Sequence, residues 1–328
     1  MSDADDIQSA NASVQNRWVT ESIPTLSNVI WEQLSESDTT WEARCIGTTE
    51  LVGTFVSNDY ALEFYKRQLA LAIFDVNRME GTIAPTLETG ATFAKIIENL
   101  EYDNVIPDPI EWDAEGGREQ SVQSSDRQLY QTARAAKFLL EQNKNADLSL
   151  DLLVATYQLL MENSYSEDKK GHRTYLVVNR VREGKEEVYA DSHQFVSASD
   201  VKQLVHNLCN KYNRTRLSMH PIDAATFLFY EMITIHPFSN GNGRMCRLLL
   251  AWSLLKDGFP FPVSFTSGRR RERLHYIYAI EAARRLDTGH RGQLNTMLLV
   301  SIERVYSNYL TNNRLHQSLK GEDICVEV

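Results

Sequence analysis

Cysteine is scarce and scattered in this chain. Cys45, Cys209, Cys246 and Cys325 form neither a CxxC pair nor a dense framework. This excludes a disulfide scaffold and predicts free thiols in a reducing compartment, and the spread histidines and cysteines give no zinc-ligand spacing. Basic excess is missing too: Lys and Arg total 34 against 44 Asp and Glu, for a formal net charge of −10. Broad binding to nucleic acid or to a membrane surface needs the opposite balance, so neither partner is expected, although a small basic pocket is not excluded. Long apolar runs are absent as well, and the strongest, Leu248–Leu255, is far too short to cross a bilayer. The acidic start Met1-Ser2-Asp3-Ala4-Asp5-Asp6 is unlike the basic-then-apolar opening of a secretory signal. There is no repeat of solenoid period and no low-complexity tract. A soluble cytoplasmic or nuclear protein is expected.

Helical periodicity dominates what is present. From Asn58 to Met79 the residues Leu62, Tyr65, Leu69, Ala72, Val76 and Met79 step by threes and fours, with Asn58 as N-cap and Gly81 as stop. The Asp-, Glu-, Pro- and Gly-rich stretch 101–122 reads as a surface loop and a boundary. Helices are expected at about 126–142, 149–161, 198–212, 221–235, 244–255, 271–285 and 294–309. Between them, Thr174-Tyr175-Leu176-Val177-Val178 and Val188-Tyr189 favour strands around Glu183-Gly184-Lys185, which predicts one β-hairpin. The fold class is mainly α with a small hairpin; residues 1–16 and 313–328 are expected as flexible tails.

One loop carries chemistry. Residues 236–247 read His-Pro-Phe-Ser-Asn-Gly-Asn-Gly-Arg-Met-Cys-Arg. Pro237 disfavours helix at His236, so a helix should end there and leave the imidazole at a junction. Gly241 and Gly243 permit positive φ and expose backbone N–H groups, and the next helix start supplies further N–H donors and a favourable dipole for an anion. Arg244 and Arg247, three apart, can face the same side of that helix start with forks suited to phosphate. The segment fits neither the dinucleotide fingerprint, since Cys246 stands at the third glycine, nor a P-loop, since no Gly-Lys-Ser/Thr follows.

The segment resembles the signature of Fic (Fido) proteins, His-x-Phe-x-(Asp/Glu)-Gly-Asn-Gly-Arg-x-x-Arg, at every defined position but one. His220-Pro221-Ile222-Asp223-Ala224-Ala225 is similar to the family's helix before the motif. Gly171-His172-Arg173 with the following hairpin resembles its target-docking flap, and Leu248–Gly258 its helix after the motif. The resemblance covers about 120–312 as a Fic helical bundle, and leaves 17–119 as a helical extension. It implies transfer of AMP from ATP to a Ser, Thr or Tyr hydroxyl of a target protein, self-modification included, by an enzyme whose oligomeric state, homodimer or otherwise, stays open. His236, an imidazole that titrates near neutrality when unperturbed, would be the general base. Gly241, Asn242 and Gly243 would supply donors to the phosphates. The resemblance assigns Asn242 to the α-phosphate and Arg244 and Arg247 to the β- and γ-phosphates, with Phe238 anchoring the loop. Tyr276, Thr174 and Tyr175 are candidate adenine or target contacts; Tyr276, Tyr278 and the cluster Arg269, Arg270, Arg271 and Arg273 also read simply as core, edge or solvated surface.

Asn240 is the departure, standing where the family has Asp or Glu to hold the Mg²⁺ (or Mn²⁺) that bridges the phosphates. Its amide oxygen can ligate a hard cation but brings no charge, so weaker metal binding is expected. Met79-Glu80-Gly81, at the end of the helix 58–81, resembles the family's inhibitory motif (Ser/Thr)-x-x-x-Glu-(Gly/Asn), with Val76 at the Ser/Thr position. Glu80 would pair with Arg247 and block the γ-phosphate position. The alternatives are Glu80-dependent removal of AMP at the same site, a silent module binding nucleotide or peptide at its hairpin edge, and transfer of phosphate or another nucleotide.

Overall fold

The computed structural model describes residues 41–80, 125–162, 164–167, 173–190, 193–265, 270–285 and 291–320. The expectations for Gly81, the stretch 101–122, Gly171-His172, Arg269, Cys325, the N-terminal tail and residues beyond 320 fall outside these. Helices α1 (Trp41–Gly53) and α2 (Asp59–Met79) come first, then α3 (Ser125–Ala136), which runs into a π-helical turn at Lys137–Gln142, and α4 (Leu150–Met161). After two small strand pairs follow α5 (Ala198–Thr215), α6 (Pro221–Ile235), α7 (Asn242–Lys256), α8 (Arg270–Arg285) and α9 (Gly292–Lys320). Among the described residues no helix is long and apolar enough to cross a membrane.

The core is organised around α7. Every residue of it except Gly243 is buried, including Leu248, Leu249, Leu250, Leu254 and Leu255. A helix buried on all sides, with its middle Leu248–Leu255 almost wholly apolar, is stable only when surrounded. Here α6 packs along it most extensively, with α2, α4 and the π turn completing the surround. Trp252 is fully buried and donates its indole N–H to Asn143 O at 3.0 Å; burying side chains of this size contributes about 1.5–3 kcal/mol each. The helix that carries the arginine pair is therefore held rigidly from within the core.

Local signals explain most helix starts. Asn58 caps α2 by accepting from Ala61 N at 2.8 Å, and Ser149 caps α4 by accepting from Leu152 N at 3.1 Å. His220 caps α6 through Nδ1, with Pro221 at the first helical position, where its missing N–H is not needed. Three expectations need correction. In α2 the expected stripe is buried at Leu69, Ala72, Val76 and Met79, but at its start Ala61 and Phe64 face the core while Leu62 is 61 % exposed; Phe64 and Tyr60 dock against Phe261 and Tyr309 and set that rotation. Helix α9 continues to Lys320, beyond the expected helix end at 309 and into the stretch expected as a tail, as an extension of the same helix past its buried Tyr306 and Tyr309.

The third correction concerns the hairpin. Two short antiparallel ladders replace it: β1 (Tyr165–Glu167) with β2 (Arg173–Tyr175), and β3 (Tyr189–Ala190) with β4 (His193–Gln194). The predicted partners, 174–178 and 188–189, do not pair with each other because their backbone groups have other partners. Leu176 N donates to Ser164 O and Phe195 N to Val188 O, and Arg182 N, in the segment between, donates to Pro237 O. The segment 176–188 thus closes only its own turn at 183–187, with Arg180 bonded to Glu186, and is tied to the His236 loop through Arg182.

Candidate active site

Helix α6 ends where Pro237 requires it to, and His236 forms its C-cap in the left-handed region, φ 53° and ψ 60°, with its N–H bonded to Met232 O. It is the one non-glycine residue with positive φ among the described residues. That conformation costs about 1 kcal/mol for a residue with a Cβ, so its surroundings must impose it. Its ring stacks on Phe195, 3.7 Å between centroids and 19° between planes. Nδ1 has a long contact, 3.4 Å, with Ile233 O. A carbonyl can only accept, so the contact favours the tautomer protonated at Nδ1 and leaves the Nε2 lone pair basic. Burial pushes the imidazole pKa down to about 4; the Ile233 carbonyl and Glu80 oppose the fall, while Arg182 and Arg284 add to it. At neutral pH the ring is an uncharged base.

Past the histidine, the loop is braced from inside. Phe238 is buried face to face with Tyr157, 3.8 Å between centroids. Asn242 closes the turn: its Oδ1 accepts from Phe238 N at 2.9 Å and its Nδ2 donates to Phe238 O at 2.6 Å. That amide therefore braces the loop, and its second Nδ2 N–H together with the backbone N–H of Asn242, in the first turn of α7, are donors toward a ligand. Asn240 is exposed, and its Oδ1 accepts from Gly241 N at 2.6 Å. Gly241 caps α7 with φ 70°, and a Cβ there would stand 2.7 Å from Met161 Sδ. Gly241→Ala is expected to lose about 1–3 kcal/mol of stability through strain and overpacking. Thermal melts would check this, and an unchanged midpoint would mean that Met161 yields freely.

Around the start of α7 the cations gather. Arg244 is 4 % exposed; its Nη2 lies 2.9 Å from Met161 Sδ, while Nε and Nη1 have no hydrogen-bond partner among the described residues, nor has Nε of Arg247. Buried guanidinium donors left without acceptors are costly unless something accepts from them. Arg247 Nη1 lies 2.6 Å from Glu80 Oε1. A Cβ at Gly243 would collide with that same Oε1 and stand 3.3 Å from Arg247 Nη1. The Glu80 carboxylate thus lies over Gly243 against the N-terminus of α7, where the dipole favours an anion. The ion pair also offsets the unfavourable position of Glu80 at the C-terminal end of its own helix.

The remaining sequence candidates fall elsewhere. Tyr276 is 4 % exposed and packed edge-on against Phe229 and beside Phe265, with the Arg247 guanidinium 5.0 Å over its ring. It supports the arginine from the core rather than presenting a face to a base, and burial pushes its hydroxyl up to about 12. Tyr278 is exposed. Thr174 and Tyr175 stand on β2, opposite Ser166 and Tyr165, with Tyr175 64 % exposed. Four residues around the loop were not singled out from sequence: Met161, Arg182, Phe195 and Arg284. The Arg182 guanidinium donates to His236 O, Ile235 O and Val196 O, and Arg284 lies 5.3 Å over the Phe195 ring with Nη2 3.3 Å from Ile233 O. No local pattern marks them, because their partners are far along the chain.

Comparison with known proteins agrees with this arrangement. The Fic/DOC family model matches residues 147–254, which include α6, the loop and most of α7. A Fido domain-containing protein of Dictyostelium discoideum is 34 % identical over 137 residues, 40 % of this chain and 91 % of that protein. The protein adenylyltransferase Fic of Drosophila ananassae is 30 % identical over 136 residues, 40 % of this chain and 27 % of that protein. The chain thus matches only about a quarter of that adenylyltransferase's length. Among solved structures, Fic-1 from C. elegans superposes with TM-score 0.60 at 21 % identity, covering 82 % of this chain and 72 % of that one. A Fic domain containing signaling protein from Bacteroides thetaiotaomicron gives 0.61 at 14 % identity, covering 88 % and 99 %. The fold, the loop between α6 and α7, and nearly the whole length of the Dictyostelium relative coincide: the chain belongs to the Fic/DOC family.

Proposed function

We propose that the chain transfers AMP from ATP to a hydroxyl side chain of a target protein, and that Glu80 restrains it. The observation that carries this reading is the cation-lined start of α7, with orphaned donors on Arg244 and Arg247, beside an uncharged imidazole. The target hydroxyl gives its proton to His236 Nε2 as its oxygen attacks the α-phosphorus. The bond from that phosphorus to the bridging oxygen breaks, and pyrophosphate leaves. Backbone N–H groups at Gly241–Gly243 and the arginine forks meet the charge that develops on the phosphates. α2, which carries Glu80, packs on α3, α7 and α9 within the same core, so the extension is read as part of the site rather than an appendage.

The metal enters with the nucleotide. No carboxylate stands at position 240, and the Asn240 oxygen is turned to Gly241 N, so Mg²⁺ or Mn²⁺ would be held mainly by the phosphates themselves. Asn240→Asp would add a charged oxygen ligand. It is expected to lower the Mg²⁺ concentration for half-maximal transfer about tenfold, and an unchanged metal titration would count against this use of position 240.

A second reading has one observation behind it: Glu80 interacts electrostatically with His236 as well as with Arg247. A carboxylate so placed can position water against an AMP–protein bond while His236 protonates the departing hydroxyl. The deciding experiment incubates wild type and Glu80→Gly with ATP labelled on the α- or the γ-phosphate, with Mg²⁺ or Mn²⁺. Transfer predicts α-label on the enzyme itself or on an added target. Label from the γ-phosphate alone would indicate phosphate transfer. Glu80-dependent loss of label from a pre-modified protein would indicate removal of AMP, and the lack of any label would leave a binding module.

A further inference from the structure

We propose that Arg182 is the positioning residue for His236: its buried guanidinium holds the left-handed turn that aims the imidazole. The inference rests on the reading of His236 as the base. Arg182 opens the stretch Arg182-Glu183-Gly184-Lys185-Glu186-Glu187, whose composition suits a solvated turn, yet its side chain is 0 % exposed. Its backbone N–H donates to Pro237 O at 2.8 Å, Nε to His236 O at 2.7 Å, and Nη2 to Ile235 O at 3.1 Å and to Val196 O. Three consecutive carbonyls, 235 to 237, therefore accept from one residue 54 or so positions away in the chain.

Ile235 O is one of the carbonyls that the end of α6 leaves without an intrahelical donor, and those of His236 and Pro237 lie just past it. A helix commonly solves this with glycine in the left-handed position just past its end. Here that position must carry an imidazole, and an arginine fork takes over the work of fixing the turn. A cation also suits the negative end of the helix. Pinning the carbonyls of residues 235–237 leaves the His236 side chain little freedom except about its own χ angles, and Phe195 stacked on the ring restricts those. Arg182 has no role with substrate in this scheme; it acts through His236.

The same arrangement sets the charge around the ring. Arg182 faces His236 from the segment between β2 and β3, Arg284 from α8, and Glu80 from α2; His193 on β4 meets the edge of Phe195. Burial is the main reason the imidazole is uncharged; Arg182 and Arg284 add to it against Glu80, while Glu187 and Glu186 face Arg182 itself. Removing Arg182 should therefore loosen the turn and make the ring easier to protonate. A residue that merely stabilised the fold would do neither selectively.

The test compares Arg182→Gln and Arg182→Lys in the Glu80→Gly protein. Two readouts are needed: α-label transfer as a function of pH, and titration of His236 by NMR with ¹³C-histidine, assigned against His236→Ala. Arg182→Gln is expected to lower kcat about 100-fold, the scale for a misaligned catalytic group, with KM for ATP within about twofold. Its His236 titration should move up from that of the parent, while burial still holds it below the ordinary imidazole range. Arg182→Lys keeps the charge but cannot reach all these carbonyls, so the titration should stay low while kcat recovers only in part. Should Arg182→Gln not fold, as judged by helical circular dichroism, the Lys variant decides: low kcat with an unmoved titration supports the proposal, and parental kcat overturns it. Unchanged kcat and titration in Arg182→Gln also overturn it. If Glu80→Gly transfers no label at all, the transfer reading fails separately. The NMR titration then decides on Arg182 alone, a moved titration upholding it and an unmoved one rejecting it.

Discussion

Glu80→Gly is expected to incorporate about 5–30-fold more α-label from ATP than the wild-type chain at subsaturating nucleotide. The size follows from the contact that ATP would have to displace. Arg247 is almost fully enclosed, 4 % exposed in its side chain, whereas Glu80 is 32 % exposed. A charge-assisted bond at 2.6 Å in such a half-open setting is worth about 1–2 kcal/mol after discounting for solvent screening. Because the carboxylate lies over Gly243, its removal also opens the start of α7 to a phosphate oxygen. A second measurement separates this from general loosening. Without Glu80 the buried Arg247 lacks its carboxylate, so the variant should melt lower than wild type on its own. ATP should then raise its midpoint more than it raises that of the wild type, since ligand that binds only the folded state stabilises it by mass action. If label and ATP-dependent stabilisation are the same in the two proteins, Glu80 is not a restraint.

The parts of this architecture that sequence makes legible are those set by neighbours in the chain. Pro221 at a first helical position, Pro237 at a helix end and Asn58 as N-cap each act within four residues, and the helices they bound, α6 and α2, have the expected limits. Helix α1 had no such mark. Gly47, Thr48 and Thr49 lie in its middle, weak helix formers on their own. It is held by tertiary contacts instead, Thr49 and Cys45 reaching His220, and Arg44 and Thr48 reaching Glu303. The small strands failed in the same way. Their composition was right, but pairing was decided by carbonyls on the His236 loop and on Ser164. In the site itself the motif named the loop residues, and what it does not disclose is their bracing, with the Asn242 amide bonded to Phe238 and Tyr276 lying beneath Arg247. Arg182 illustrates the limit most sharply. A single arginine among glutamates and a lysine carries no local sign that its acceptors lie half a hundred residues downstream.

His236→Ala in the Glu80→Gly background should lower transfer about 10²–10⁴-fold, the scale for loss of a general base, while ATP still raises the melting midpoint. That split matters, because the imidazole is assigned to proton transfer and not to holding the triphosphate. The pH dependence follows from the environment of the ring. Burial holds the free His236 at about 4, so in kcat/KM, which reports the free enzyme, the acid limb should fall near that value and well below the ordinary imidazole range. Bound triphosphate brings negative charge to the same place and favours the imidazolium. The acid limb of kcat, which reports the enzyme–substrate complex, should therefore lie at higher pH than that of kcat/KM. Stability moves with the same group. The folded-state pKa is depressed, so between about 4 and 6.5 the unfolded chain binds more protons at this residue than the folded chain does. The contribution is then fully present above the unfolded value and is lost as pH falls through that window. Denaturant unfolding should show this slope in the parent and a shallower one in His236→Ala. Coincident acid limbs for kcat and kcat/KM near the ordinary imidazole range would mean that His236 is solvated in the working enzyme, and the assignment of a buried, uncharged base would fall.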